Sequence, residues 1–368
     1  MGQPGAQAVR AVTEQPKTEV RPWILHFDLD QFLASVELRR RPDLVGLPGI
    51  VGGNGDPTEP RKVVTCASYE AREFGVHAGM PLRTAARRCP DATFLPSDPG
   101  AYDAASEQVM GLLRDLGHPL EVWGWDEAYL GARTNDPIGL GEQVRTLIAA
   151  ETGLSCSVGI SDNKQRAKVA TGFGKPAGIF VLTDANWMEV MGERTVDALW
   201  GVGPKTAKKL ASLDITTVGQ LARTNAETLT STFGPRTGLW ILLLAKGGGD
   251  SDVSAEEWIP RSRSHVTTFA EDLTERPQID AAVQLLAQQT LAEVVEQRRV
   301  VSRVAVTVRT STFYTRTKIR KLASPSTDRA LITDTALAVL DQFELDRPIR
   351  LLGVRLELVM PKATVPVS

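Results

Sequence analysis

Cysteine is scarce: Cys66, Cys89 and Cys156 are the only three in 368 residues. They are odd in number, and no pair has Cys-x-x-Cys spacing. That excludes a disulfide framework and structural zinc of that spacing, as expected in a reducing compartment. The four histidines form no cluster. An excess of one charge is also missing. With a net charge of −2 there is no global basic signature, so any nucleic-acid surface must be local. No apolar run approaches the ~20 residues of a membrane-spanning helix. The N-terminal stretch lacks the apolar core of a signal peptide. Rich in Gln, Ala, Val and Gly, residues 1–21 read as a flexible extension. These absences lead us to expect a cytoplasmic protein without membrane contact, and the length suffices for two or more domains.

What is present centres on Phe27-Asp28-Leu29-Asp30-Gln31-Phe32-Leu33-Ala34-Ser35-Val36-Glu37. The apolar run Trp23 to Phe27 predicts a buried strand, and Phe32, Leu33 and Val36 recur at helical spacing. Carboxylates therefore sit where a strand hands over to a helix. Alternation along a strand puts Asp28 and Asp30 on one side and Leu29 on the other. Asp28, with the carbonyl of Leu29 beside it, offers oxygen-only ligation suited to Mg²⁺. A turn or cap is the ordinary alternative for such a pair.

The second acidic stretch is Glu121-Val122-Trp123-Gly124-Trp125-Asp126-Glu127-Ala128-Tyr129-Leu130. Two apolar runs flank adjacent acids, which predicts a β-hairpin with Asp126 and Glu127 at its tip. Placing two carboxylates between Trp125 and Tyr129 is costly unless a cation pairs with them. If the hairpin lies beside the first strand, Asp28, Asp126 and Glu127 converge on a volume fit for two Mg²⁺ ions about 4 Å apart, the arrangement used in phosphoryl transfer. An exposed acidic tip is the alternative.

Together these stretches resemble the Y-family translesion DNA polymerases of DinB (DNA polymerase IV) type. Three further stretches carry the resemblance: Ala67-Ser68-Tyr69-Glu70-Ala71-Arg72-Glu73-Phe74-Gly75-Val76, Val158-Gly159-Ile160-Ser161 with Asn163-Lys164, and Gly174-Lys175-Pro176 with Gly178-Ile179. It implies a multidomain α+β fold, a right-hand polymerase with a ferredoxin-like palm (22–31 and 98–186) and small fingers (32–97). A helix-hairpin-helix thumb (187–246), a linker (247–264), an α/β little finger (265–362) and a tail (363–368) complete it. It also implies template-directed addition of nucleotides to a primer 3′ end by two-metal chemistry, with low processivity and low fidelity. Asp28, Leu29, Asp126 and Glu127 would hold two Mg²⁺, with Mn²⁺ as a substitute ion. Primer–template DNA and nucleoside triphosphates would be the partners of a monomer associated with the nucleoid. The alternatives are a non-catalytic DNA-binding scaffold and a transferase that inserts a single nucleotide.

Tyr69 and Arg72 lie at i and i+3, hence on one helix face. A phenol and a guanidinium there can grip a triphosphate, and the resemblance adds Lys175, held extended by Pro176. A Tyr and Arg supporting their own helix are the alternative. Val63-Val64-Thr65-Cys66 is expected as a strand. By resemblance Val63 and Thr65 roof the templating base and Cys66 lies near the phosphates, where relatives carry Thr. Phe32 and Leu33 would touch the nucleotide. Leu33 stands where the family has Tyr or Phe, the steric gate that collides with a ribose 2′-hydroxyl. A weakened gate, and ribonucleotide use beside deoxyribonucleotide use, is the expectation. A core role for Leu33 is the alternative.

Two departures flank the acids: Gly124-Trp125 for Ser-Ile, and Gly131 for Asp. Trp125 is expected to pack beneath the hairpin. Gly201-Val202-Gly203 before Pro204-Lys205-Thr206 predicts a tight turn whose N–H groups face outward at a helix start, an anion site. It is read as the hairpin of a helix-hairpin-helix that grips the DNA backbone, or else as a plain turn. Between Arg298 and Lys321 stand eight Lys/Arg and no Asp/Glu. Arg309, Arg316, Lys318 and Arg320, on adjacent strands, are expected to share a face that contacts phosphates, with a solvated face as the alternative. The final residues carry no Gln-Leu-Phe clamp motif, so clamp binding through the tail is not expected.

Overall fold

A computed structural model describes residues 20–361. The extension expected over residues 1–21 falls outside the described residues except for its last two, and the tail 363–368 lies outside them entirely. The chain divides into two compact units. One takes in the described part of Met1–Asn54 with Thr65–His77 and Asp91–Glu256; the other takes in Gly55–Val64, Ala78–Pro90 and the described part of Glu257–Ser368. The segment 32–97, expected as one module, is shared between them.

The elements of the first half are β1 (Arg21–Leu29), α1 (Phe32–Arg40), β2 (Gly49–Val51), β3 (Cys66–Ala67), α2 (Tyr69–Glu73), α3 (Leu82–Arg88), β4 (Thr93–Leu95) and α4 (Pro99–Asp115). Then come β5 (Leu120–Val122), β6 (Glu127–Thr134), α5 (Pro137–Thr152), β7 (Cys156–Ser161), α6 (Lys164–Gly174) and β8 (Ile179–Val181). The first unit is built on a sheet ordered β5-β6-β1-β7-β8. β1 is central, paired on both sides and buried from Trp23 to Phe27, which is why it reads as an apolar run interrupted only by His26. Its long helices start where the sequence caps them. Asp98 accepts from Ala101 N at 3.2 Å with Pro99 next, and Asp136 accepts from Gly139 N at 2.8 Å with Pro137 next. A small sheet ordered β3-β2-β4 stands after α1. The strand expected over Val63–Cys66 shrinks to β3. Val63 makes only an isolated bridge to Pro81, because β2 is too short to pair further.

A helical cluster follows: α7 (Asp184–Met191), α8 (Pro204–Ala211), α9 (Val218–Arg223), α10 (Ala226–Phe233) and α11 (Pro235–Ala245). Leu182, Trp187, Leu199, Leu210, Leu221 and Leu244 form its core. Only a 3-10 turn, Val196–Ala198, precedes the Gly201–Gly203 turn, so one arm of the expected helix-hairpin-helix is short. The segment expected as a linker is seated on the first unit as far as Glu256. Asn163 Nδ2 donates to Gly247 O (2.9 Å), Lys164 N to Asp250 O (2.8 Å), and Ser254 N to Glu121 Oε2 (2.9 Å). Val253 packs on Ile24, Tyr129 and Ala167. Gly131 fits this contact closely: a Cβ there would meet Val253 Cβ at 3.2 Å, so a larger residue would require Val253 to give way.

The second unit holds β9 (Ser262–Leu273), α12 (Arg276–Glu296), β10 (Val301–Thr310), β11 (Thr315–Ser326), α13 (Arg329–Leu340) and β12 (Ile349–Leu358). Its antiparallel sheet is ordered β11-β10-β12-β9. Val304, Val306, Val308, Leu352, Val354 and Leu356 share one face and bury it against α12 and α13. β9 was not expected. It is an edge strand with little burial, so it lacks the apolar alternation that marks a strand.

Candidate active site

Three carboxylates meet at the head of the central strand. Asp28 faces Glu127 across the β1–β6 ladder, and Asp126 precedes Glu127. Leu29 N donates to Asp126 O at 2.8 Å, which locks the hairpin onto the strand end. Lys175 Nζ pairs with Asp28, and Lys168 Nζ pairs with Glu127. Behind Glu127 lies His26, fully buried, its Nε2 3.4 Å from Glu127 Oε2 and its Nδ1 2.8 Å from Thr171 Oγ1. His26 and then Lys168 hold the Glu127 carboxyl down to about 2, against the opposing effect of burial. Asp126 is the exception: burial, then Asp28 and Glu127, raise its carboxyl above the usual range. Among the described residues it has no salt bridge. Sequence reading missed His26 and Lys168. Nothing local marks them, since each meets Glu127 only through the folded sheet.

Among the described residues, no group of three His, Cys, Asp or Glu side chains stands at metal-binding spacing. Two of the three carboxylates are turned onto lysines instead. The donor set nevertheless suits a hard divalent cation: crowded carboxylate oxygens, with Asp126 still raised by burial and like charge despite the nearby Lys175.

The expected alternation stops at Leu29. Gln31 takes a left-handed conformation (φ 43°), and Asp28 and Asp30 have separate partners. Asp30 is 3 % exposed and accepts from Tyr69 Oη (2.9 Å), Ser155 Oγ (2.8 Å), Ser157 Oγ (2.8 Å) and Ala177 N (2.9 Å). Tyr69 and Arg72 do share a face of α2: the guanidinium carbon lies 4.8 Å from the ring centroid, and Nε donates to Ala67 O at 2.9 Å. Burial, then the charge of Asp30, raises the Tyr69 phenol, so it stays a protonated donor. Lys175 is extended (φ −71°, ψ 139°), as Pro176 predicted. The first unit thus brings Lys175 to Asp28, and Tyr69 with the Ala177 backbone to Asp30.

Phe32 departs from expectation. It is 3 % exposed with its ring against Tyr102 (centroids 6.4 Å apart), so its ring belongs to the core and not to a ligand pocket. Leu33 and Cys66 are half-buried against the palm core. Val63 and Thr65 point outward around the buried Val64. Trp125 lies on α4, edge-on to Tyr102 and donating to Asp103 Oδ1 at 2.7 Å.

At the thumb turn Gly201 has φ 95°, which favours glycine. Gly203 caps α8, Pro204 opens it, and the first helical bond runs from Ala207 N to Gly203 O at 3.0 Å. The N–H groups of Lys205 and Thr206 are thus left for an anion, beside the exposed Lys205 side chain. Trp200, just before the turn, packs at a tilt against Trp123 with centroids 5.6 Å apart.

The basic residues of the second unit do not share one face. Arg316, Lys318 and Arg320 stand opposite Val308, Val306 and Val304, hence on the helix-covered side; Arg309 stands opposite Thr315, on the other. Lys318 is occupied there, on Gln342 O and over the Phe343 ring. On β10, β11 and β12 the helix-free face instead joins Arg309 with Arg303, Lys321 and Arg355, beside Glu357.

An acid cluster at the head of a five-stranded palm sheet, followed by a helical thumb and a separate α/β unit, defines a palm-type nucleotide polymerase. The comparisons with known proteins narrow this. Residues 27–172 match the impB/mucB/samB family, residues 260–366 its C-terminal domain, and residues 197–248 the thumb domain of DNA polymerase-iota. "DNA polymerase IV 2" of Mycobacterium tuberculosis is 72% identical over 339 residues, covering 91% of this chain and 98% of that protein. "DNA polymerase IV" of Methanoculleus marisnigri is 35% identical, over 91% of this chain and 94% of that one. Among solved structures, the Y-family DNA polymerase chimera Dbh-Dpo4(243-245)-Dbh superposes with TM-score 0.82 at 26% identity, covering 92% of this chain and 100% of that chain. DinB from Sulfolobus solfataricus gives 0.62 at 25% identity, over 92% of this chain and 100% of that one. The chain belongs to the Y-family DNA polymerases, as a DNA polymerase IV of DinB type. It is a DNA-directed DNA polymerase of translesion synthesis. No helix among the described residues is long and apolar enough to cross a membrane.

Proposed function

We propose that this polymerase extends primers with ribonucleotides as well as deoxyribonucleotides. The observation that carries the reading is Leu33, an aliphatic side chain at the second position of α1, five residues after Asp28. A leucine offers no flat plate beneath the sugar. Primer extension on one template, with either sugar, tests it. Extension with deoxyribonucleotides alone would discard it.

Asp28, the Leu29 carbonyl, Asp126 and Glu127 are the residues that would hold two Mg²⁺. When bound, the ions supply activation of the primer 3′-hydroxyl and charge stabilisation at the leaving pyrophosphate. The residues themselves do the rest. Lys175, Arg72 and Tyr69 bind and orient the triphosphate by paired and charge-assisted donors. Cys66, poorer as a donor than a hydroxyl, adds less. The N–H groups at Lys205 and Thr206 hold a primer phosphate without reading its base.

DNA is proposed to lie across the helix-free face of the second unit. Arg303, Arg309, Lys321 and Arg355 supply the cations there. Lys321→Glu is therefore expected to weaken primer–template binding several-fold and to reduce the salt slope by about one for each phosphate no longer neutralised. Arg320→Glu, on the opposite face, is the comparison, read by fluorescence anisotropy from low to high salt. Equal losses in both variants would count against this face.

A further inference from the structure

Asp30 is the second acid of the strand-end motif, and neither the metal ligands nor the triphosphate ligands include it. It is nonetheless the most fully engaged carboxylate of the first unit. Its Oδ1 accepts from Tyr69 Oη and Ser157 Oγ, and its Oδ2 from Ser155 Oγ and Ala177 N, all between 2.8 and 2.9 Å. That uses the four strong acceptor positions of a carboxylate. No salt bridge reaches Asp30 among the described residues, so this buried carboxyl group is held by hydrogen bonds alone. Such a group is costly unless every bond is made.

The donors come from three places distant in sequence: α2, the start of β7 with Ser155 just before it, and the loop after α6. Two of them tie Asp30 to the triphosphate grip. Tyr69 is a member of it, and Ala177 is two residues beyond Lys175. The neighbouring backbone is pinned as well. Asp30 N donates to Ser155 O (2.8 Å), Ser35 Oγ donates to Asp30 O (2.8 Å), and Tyr69 N donates to Gln31 Oε1 (2.5 Å).

We infer that Asp30 is a positioning residue for nucleotide binding: it holds Tyr69 and the Lys175 loop at a fixed distance from the metal-ligating Asp28, and it touches neither metal nor substrate. The inference rests on the reading of Tyr69, Arg72 and Lys175 as triphosphate ligands. It gives two neighbouring acids different roles, with Asp28 serving the chemistry and Asp30 serving the grip.

Single-turnover extension separates the nucleotide dissociation constant from the rate of the bound complex. Asp30→Ala is expected to raise the dissociation constant by about tenfold or more, the scale of hydrogen bonds to a charged group, with the bound rate within about threefold. Asp30→Asn should do less. The fixed Ala177 N–H keeps the amide oxygen, so the NH₂ faces Tyr69 and Ser157, whose hydroxyls can turn to accept. A rise of a few-fold is expected. This variant carries the test if Asp30→Ala does not fold.

The decisive comparison is with Lys175→Ala. If Asp30 acts through the grip, adding Asp30→Asn to Lys175→Ala should cost clearly less than it costs alone. Full additivity overturns the inference. So does a fall in the bound rate with an unchanged dissociation constant, or no effect of either Asp30 variant. If Lys175→Ala alone leaves nucleotide affinity intact, the triphosphate reading fails instead, and the two failures are told apart.

Discussion

Asp126→Ala should lower primer extension by roughly a thousand-fold or more, equally with both sugars, while leaving the protein as stable as before or more so. The loss of activity follows from the donor set. Removing one carboxylate from a site that would hold two cations forfeits several kcal/mol of transition-state stabilisation, and ~1.4 kcal/mol is tenfold in rate. The stability half is less obvious. Asp126 is the one acid of the three with no lysine on it, and burial together with Asp28 and Glu127 raises its carboxyl above the usual range. A carboxyl whose folded value is raised costs the fold whenever it is ionised, that is, at neutral pH and above. Deleting it relieves that cost. Thermal unfolding beside extension kinetics, in a preparation free of host polymerases, checks both halves. Residual extension near the parent rate would return the scaffold reading. A steep fall in melting temperature would instead mean that Asp126 is needed by the fold.

The acid cluster was legible because its pattern is local. A buried central strand reads as a nearly continuous apolar run, and the handover to α1 marks where its carboxylate sits. The hairpin acids likewise stand between two short apolar runs. The Tyr69–Arg72 pair needed only helical periodicity. What stayed hidden depends on partners far away in sequence. Asp30 looks like a twin of Asp28, and nothing within ten residues announces that Ser155, Ser157 and Ala177 will surround it. His26 reads as one more strand residue until Thr171 and Glu127 arrive.

The basic strands failed for a different reason. In β10 the valines at 304, 306 and 308 already show that Arg303 and Arg309 point away from the core. The parity of β11 is set by its turn, where Thr310 N meets Tyr314 O at 3.0 Å and Arg309 faces Thr315. Shifting that turn by one residue would put Arg316 and Lys318 on the open face and Lys321 on the covered one. A count of cations along the strand cannot decide between the two.

Leu33→Tyr should raise discrimination against ribonucleotides by roughly 100-fold, a gate of a few kcal/mol at ~1.4 kcal/mol per tenfold, with deoxyribonucleotide use close to the parent. The local structure makes this substitution informative. α1 is fixed from both ends of its first turn: Phe32 is anchored in the core, and the Ser35 hydroxyl closes on Asp30 O. The residue between them can change without moving the helix. Leu33 itself is only half-buried, so a larger ring has open space on its outer side. A tyrosine would place a rigid plate where the leucine leaves a narrow, flexible branch. A 2′-hydroxyl would meet that plate, and a 2′-hydrogen would not. The readout is the ratio of the two efficiencies, each measured on the same primer–template. A ratio that moves while the deoxyribonucleotide efficiency stays put assigns sugar selection to this one side chain. A ratio that does not move means that selection, or its lack, is set elsewhere in the pocket and that Leu33 is a core residue of α1. A parallel loss with both sugars would mean that the ring has disturbed the nearby Asp30 and Tyr69 hydrogen bonds, and the parent enzyme's use of ribonucleotides would then need another cause.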